Sequence, residues 1–293
     1  DNINSYYDIE LKKSRIKILK DQFKNFNFKK IDLSNRKNIL KLFDEENFTH
    51  VINLAAQAGV RFSIENPIPY VESNLIGFFN ILDISRINKI NHFIFASTSS
   101  VYGDSKKFPL KETDNTDRPL SFYAATKKSN EVMAYSYSNI YGLPCSGLRF
   151  FTVYGPLGRP DMALFKFTKS IINGEKIELF NKGNHIRDFT FIDDVTETIA
   201  KLINKPSKQK IPFEIFNIGN SNPVQLKKFL YEIETNLNKK AKVLNKELQK
   251  GDVIKTHANI NKIIKITKIR PKTNYKLGIK KFVNWFLNKN NNE

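Results

Sequence analysis

Two residues four positions apart, Tyr123 and Lys127, are the first whose types and spacing could do chemistry. On a helix, positions i and i+4 share a face, so a phenol and an ammonium would lie one turn apart. A phenol with an ordinary pKa of about 10 is a poor base near neutrality, and a neighbouring cation favours its phenolate. The spacing alone is weak, because in a chain this rich in tyrosine and lysine roughly one or two such pairs arise by chance. A second copy, Tyr102 and Lys106, lies beside Gly103 and Asp104 in a stretch that reads as loop, where four-residue spacing does not bring side chains together. Tyr123 is favoured because it begins a helical pattern and because hydroxyls, Ser97 to Ser100, end a strand pattern upstream. Taken singly, such a run more often marks a strand-end turn.

The elements that must position these groups alternate. Strand patterns at 28–33, 49–54 and 92–96 are separated by helical patterns at 36–43 and 68–87. A helix at 122–140, a strand at 144–150 and a helix at 162–173 follow. Strands near 176–179 and 188–191, a helix from Asp194, and strands at 213–218 and 241–245 complete the series. This order predicts an α/β fold with a doubly wound parallel sheet, in which ligands sit outside the carboxyl ends of the strands. Asp32 and Leu33, the segment from Ala55 to Gly59, Thr98 and Thr152 all follow predicted strands.

Composition narrows the rest. The chain has 293 residues, 40% of them hydrophobic, which suits one large α/β unit or a nucleotide-binding domain with a smaller lobe. A formal charge of +19 invites a nucleic-acid reading, but lysines are spread along the whole chain and phenylalanines fall in apolar runs, so no nucleic-acid partner is expected. The one cysteine, Cys145, stands at the start of a strand pattern and reads as core filler; no metal site is expected. No run approaches eighteen apolar residues and the first twenty are polar, so neither a membrane span nor a signal peptide is read, and the expected location is cytoplasmic.

The residues Ala96 to Gly103, a hydroxyl cluster followed by Val-Tyr-Gly, resemble the corresponding element of extended short-chain dehydrogenase/reductases, the NAD-dependent epimerase/dehydratase family. Joined in order to Tyr123 and Lys127, the cluster is a strong signature. Further segments are similar to the UDP-glucuronate 4-epimerase group: Asn53 to Pro67, Leu148 to Pro156 followed by Gly158 to Ala163, Arg187 to Asp194, and Gly251 to Val253. Asp1 to Asp8 looks like the end of that group's second strand. The likeness covers nearly the whole chain.

The resemblance implies a Rossmann-type domain over 1–155, with 187–220 returning to it, and a smaller C-terminal α/β lobe for the nucleotide-sugar over 156–186 and 221–293. It implies NAD as cofactor and a UDP-sugar as substrate. Thr98, Tyr123 and Lys127 would be catalytic, with Tyr123 as the base, Lys127 also holding the cofactor ribose, and Thr98 orienting the reacting oxygen. Asp1 and Asn2 would meet the adenosine ribose, Asp32 and Leu33 the adenine, and Leu54, Ala55, Ala56, Gln57 and Asn74 the rest of the NAD. Ser99, Thr152 and Arg159 would face the sugar and its carboxylate; Arg61, Arg187 and Asp252 would hold the UDP portion or ring. Independently of family, a guanidinium pairs with a carboxylate or phosphate through two parallel hydrogen bonds. A homodimer is expected through the helices at 68–87 and 122–140, which carry Phe78, Phe79, Met133 and Tyr137.

One departure from the family is plain. Its glycine-rich turn for the pyrophosphate, with the flanking strand and helix, normally precedes the position of Asp1, and no glycine occurs here before Gly59. The chain as given is therefore read as N-terminally truncated, with weak NAD binding expected of it. Related chemistries stay open. Ser99 and Ser100 stand where dehydratases carry an acidic pair, which argues against dehydration. A UDP-glucuronate decarboxylase, a UDP-glucose or UDP-GlcNAc 4-epimerase, and an inactive remnant or binding module are the alternatives to 4-epimerisation of UDP-glucuronate.

Overall fold

The computed structural model describes residues 1–248 and 252–290, so Gly251 lies outside the described residues. The elements run α1 (Ile9–Gln22), α2 (Arg36–Glu45), β1 (His50–Asn53), α3 (Phe62–Glu65), α4 (Ile68–Tyr70), a π-helical turn (Val71–Ile76), α5 (Gly77–Ile87) and β2 (His92–Thr98). A 3-10 turn (Ser99–Tyr102) leads on to α6 (Phe122–Tyr141), β3 (Cys145–Phe150), β4 (Thr152–Tyr154), α7 (Ala163–Asn173) and β5 (Lys176–Phe180). Then come β6 (Ile186–Arg187), β7 (Phe189–Phe191), α8 (Ile192–Leu202), β8 (Phe213–Ile218), β9 (Val224–Gln225), α9 (Leu226–Leu237), β10 (Lys242–Lys246), α10 (Asn261–Thr267) and α11 (Tyr275–Asn290).

Strands β1, β2, β3 and β8 form a parallel sheet in that order. Because strand side chains alternate between faces, the apolar run of β2 splits: Phe93 and Phe95 join α2, α5 and α6 on one side, while Ile94 joins Leu148, Phe216 and α8 on the other. The fold is therefore α/β with helices on both faces of a parallel sheet, as its alternation predicts. Gly147 in β3 is what admits the Phe95 ring, since a Cβ there would come within 2.7 Å of it. A third core gathers Tyr154, α7, β5, β7, α9 and α11, with the Phe189 and Phe229 rings stacked at 3.9 Å. Two-stranded parallel pairs β4–β7 and β5–β10 flank that core.

Four expectations need correction. Residues 28–33 form no strand: their backbone tie to another segment is Ile31 N–H to the Asp1 carbonyl at 3.3 Å, and one bond is not a ladder. The outer edge of β1 accordingly has no partner among the described residues, and Ile52 and Leu54 are 38% and 53% exposed. The helix expected over 68–87 is interrupted by the π turn, where the Asn74 carbonyl accepts from Asn130 Nδ2 at 2.6 Å. A side chain inserted there loosens the regular i to i−4 ladder, and such wide turns favour functional sites. The helix expected from Asp194 starts two residues earlier, and the strand expected at Asp188 starts at Phe189, since the Asp188 N–H donates to Thr256 Oγ1 at 3.1 Å rather than to a strand, while its buried carboxylate accepts the N–H groups of Asn220, Ser221 and Ala258. No helix among the described residues is long and apolar enough to cross a membrane.

Candidate active site

The carboxyl ends of β1, β2 and β3 open into a cleft of about 1400 Å³, closed on the far side by the 158–163 loop, α7 and β5. That volume exceeds the span usual for one drug-sized ligand, and suits two nucleotide-sized ones.

Thr98 ends β2 in extended conformation, where the chain turns into the 3-10 segment as its hydroxyl accepts the Ser100 N–H at 3.2 Å. Tyr123 enters from the first turn of α6. Ser121 caps that helix by accepting the Ala124 N–H at 3.2 Å, and the Tyr123 N–H donates to Ser63 Oγ at 3.2 Å, so the ring is aimed from both ends. Its edge meets the buried Tyr70 ring at a centroid distance of 6.1 Å. Tyr123 and Thr98 line the same cleft. Burial pushes the Tyr123 pKa up, while the Arg159 charge and the nearby Thr98 hydroxyl pull it back. Part of the side chain still opens to the cleft.

Lys127, one turn further along α6, is 3% exposed, and burial brings its ammonium down to about 8. It donates to the Ala96 carbonyl at 2.9 Å, which leaves two of its three N–H donors for the cleft. Beneath it, Glu131 forms a buried bidentate pair with Arg149 at 2.8 Å and accepts from Ser97 at 2.6 Å, which anchors the end of β2 to α6.

The cofactor-side expectations mostly meet on one wall. Leu54, Ala55, Ala56 and Gln57 follow β1, and Asp1, Asn2, Asp32 and Leu33 lie on the same wall. Asn2 donates to Asp32 at 2.7 Å. Burial would raise the Asp32 carboxyl, but bonds from Asn2 and Ser34 outweigh it and hold the group below its ordinary value. Asn74 is the exception, since it stands behind the wall. Its amide accepts the Gln57 N–H at 2.8 Å and donates to the Gln57 carbonyl at 3.0 Å, so it braces the Gln57 backbone and has no reach into the cleft.

On the other wall are Ser99, Thr152 and Arg159, and further out Arg61, Arg187 and Asp252. Arg61 pairs with Asp252 at 3.0 Å and stacks on Phe180 at 4.3 Å. Burial brings Arg187 down to about 10, and its guanidinium donates to the carbonyls of Ile186 and Ile254. Sequence reading missed Tyr6, Asp161, Phe180 and His185, which also line the cleft. Asp161 could have been found, as a carboxylate two residues from Arg159; nothing in the sequence marks the others.

A model of the NAD dependent epimerase/dehydratase family matches residues 8–219. Protein CapI of Staphylococcus aureus is 48% identical, over 98% of this chain and 90% of its own length. UDP-glucuronate 4-epimerase 4 of Arabidopsis thaliana is 44% identical over 98% of this chain and 68% of its own. The crystal structure of UDP-glucuronic acid 4-epimerase from Bacillus cereus, in complex with UDP-glucuronic acid and NAD, matches with a TM-score of 0.91 at 29% identity, covering 99% of this chain and 90% of that one.

Proposed function

The chain belongs to the NAD-dependent epimerase/dehydratase family, and from that premise we propose that it inverts C4 of a UDP-sugar, converting UDP-glucuronate to UDP-galacturonate. The observation that carries the reading is the meeting of Thr98, Tyr123 and Lys127 at one end of the cleft with Arg159 close enough to act on Tyr123 electrostatically. A cationic fork beside the catalytic phenol suits a sugar that carries its own carboxylate.

The residues present fit the two ends of a dinucleotide, while the glycine-rich turn that would meet its pyrophosphate is not among them. Lys127 is a buried cation with donors to spare, Asp32 is an ionised acceptor on the same wall, and the braced Gln57 backbone lies between them along the ends of the strands. Bound NAD supplies the redox chemistry, hydride acceptance from C4 and its return, so the cycle has no net oxidation. Tyr123 accepts the proton of the sugar 4-hydroxyl and returns it at the end. Thr98 holds that oxygen against the phenol, and Lys127 places a positive charge one turn from it while gripping ribose hydroxyls. Arg159 and Thr152 hold the hexuronate ring, which must expose both faces in turn; Arg61, Arg187 and Asp252 hold the nucleotide portion. The core around α7, α9 and α11 forms the nucleotide-sugar lobe in this reading.

Incubating the protein, carrying the glycine-rich segment that the family places ahead of the position of Asp1, with UDP-glucuronate and NAD, then separating the products, tests this directly. UDP-galacturonate is the expected product. A dominant UDP-pentose would make the protein a decarboxylase, and turnover of UDP-glucose but not the uronate would move it to the neutral-sugar epimerases.

The same helices are proposed to pair two copies, though not through all the residues expected. Phe78 is buried in the sheet core, and Met133 and Tyr137 pack against that core, whereas Phe79, Val132, Tyr135 and Ile140 are exposed. Light scattering at micromolar concentration should give a dimer mass. A monomer mass would assign these residues to solvent.

A further inference from the structure

A guanidinium can chelate through two edges, and in this structure one edge of Arg159 is already taken. Its Nε and Nη2 donate to the two carboxylate oxygens of Asp161, each at 3.1 Å, and Nη2 also meets Met162 Sδ at 3.4 Å. Nη1 has no hydrogen-bond partner among the described residues, and Arg159 lines the cleft. Asp161 in turn accepts from Tyr6 Oη at 3.5 Å. Tyr6 is itself wedged: its ring lies 5.0 Å from the Phe62 ring, and its oxygen stands 2.7 Å from where a Cβ on Gly59 would be. Gly59 has φ +108°, so that position has two reasons to lack a side chain. Burial first and then the Asp161 charge raise the Tyr6 pKa, so the phenol stays protonated and remains a donor.

We propose that Tyr6 and Asp161 are positioning residues that clamp the side edge of Arg159 and so present its Nη1 end to an anionic group on the sugar. The chain of contacts runs from the loop after β1, on the cofactor side, through Tyr6 and Asp161 to Arg159 on the sugar side. It couples the two walls of the cleft through side chains alone. An unclamped arginine would keep its charge but lose its direction, and planar bidentate recognition depends on direction. The clamp also partly neutralises Arg159, so an anionic ligand gains chiefly from matched geometry and a neutral one loses little without it. Discrimination between carboxylated and neutral sugars is therefore assigned to the clamp as much as to Arg159 itself. This inference rests on the proposed function, in which Arg159 faces the substrate carboxylate.

The test is calorimetric affinity for UDP-glucuronate and for UDP-glucose, each with saturating NAD. Asp161→Asn should weaken UDP-glucuronate binding about tenfold, the size expected for losing one charge-assisted pairing, while UDP-glucose stays within about twofold. Tyr6→Phe keeps the ring against Phe62 and should shift the same ratio in the same direction by a smaller factor. Asp161→Glu, which retains the charge, should recover part of the loss. A structural role alone would weaken both ligands equally, and that result overturns the inference while leaving the proposed function standing. A wild-type protein that binds UDP-glucose more tightly than the uronate overturns the proposed function, and the clamp with it.

Discussion

Tyr123→Phe is expected to lower turnover by about two to four orders of magnitude, the range for removing a general base, and to leave UDP-sugar affinity close to that of the unaltered protein. The substitution deletes the phenolic oxygen and keeps the ring that packs against Tyr70 in a T-shaped pair, so the fold has no reason to change. Initial rates give the first quantity and calorimetric titration the second. Tyr102→Phe is the matched control because it alters the chance copy of the same spacing. The Tyr102 hydroxyl donates to Asn217 Oδ1 at 2.7 Å, its ring meets the Arg149 guanidinium at 4.8 Å, and burial pushes its pKa up to about 12. Losing that buried bond should cost about 1–3 kcal/mol of stability, with the rate of folded enzyme retained. An active Tyr123→Phe protein, or an inactive but folded Tyr102→Phe protein, would place the proton transfer elsewhere.

The two tyrosines show why so much of the site was legible in the sequence. A chemistry-bearing residue in an α/β fold stands just after a strand or in the first turn of a helix, and both positions have local signals. The apolar run of β2 ends in hydroxyls, and Ser121 caps the helix that carries Tyr123 and Lys127. Periodicity could also separate the loop around Tyr102 from the helix at Tyr123. What was illegible depends on contacts distant in sequence. Residues 28–33 have strand composition, but a strand exists only where a neighbour completes the ladder, and composition says nothing of neighbours. At the π turn, Asn130, 56 residues away, takes the Asn74 carbonyl and the Gln57 backbone takes its amide, contacts that no local pattern in the sequence marks. The Arg159 clamp escaped for the same reason, since Tyr6 and Asp161 are 155 residues apart.

Lys127→Met is expected to move activity and stability in opposite directions. In the chain alone, burial works against ionising Tyr123, with Arg159 and Thr98 working for it, so the charge on Lys127 matters most when the cleft is filled and the phenol must give up its proton. Removing that charge should shift the rising limb of the pH–rate profile to higher pH and lower the rate at neutrality, measured at saturating NAD because the proposed ribose grip would be lost as well.

Stability follows from the lysine's own titration. Burial brings its pKa from 10.5 down to about 8, so between those values the folded chain binds fewer protons than the unfolded chain, and this group's contribution to stability rises with pH across that window. Below about pH 8 both states are charged and folding bears the full desolvation cost, about 3 kcal/mol for a shift of this size. Methionine fills nearly the same volume without that cost. Nucleotide-free Lys127→Met protein should therefore unfold at a higher temperature than the unaltered chain at pH 7, with the difference shrinking towards pH 10. Equal stability at pH 7 together with an unmoved pH–rate limb would show that Lys127 is neither strained by burial nor coupled to Tyr123. A gain in stability with normal activity would remove it from the catalytic group while leaving its burial as described. The expected combination, a more stable and far slower protein, is what a cation buried for chemistry rather than for folding should give.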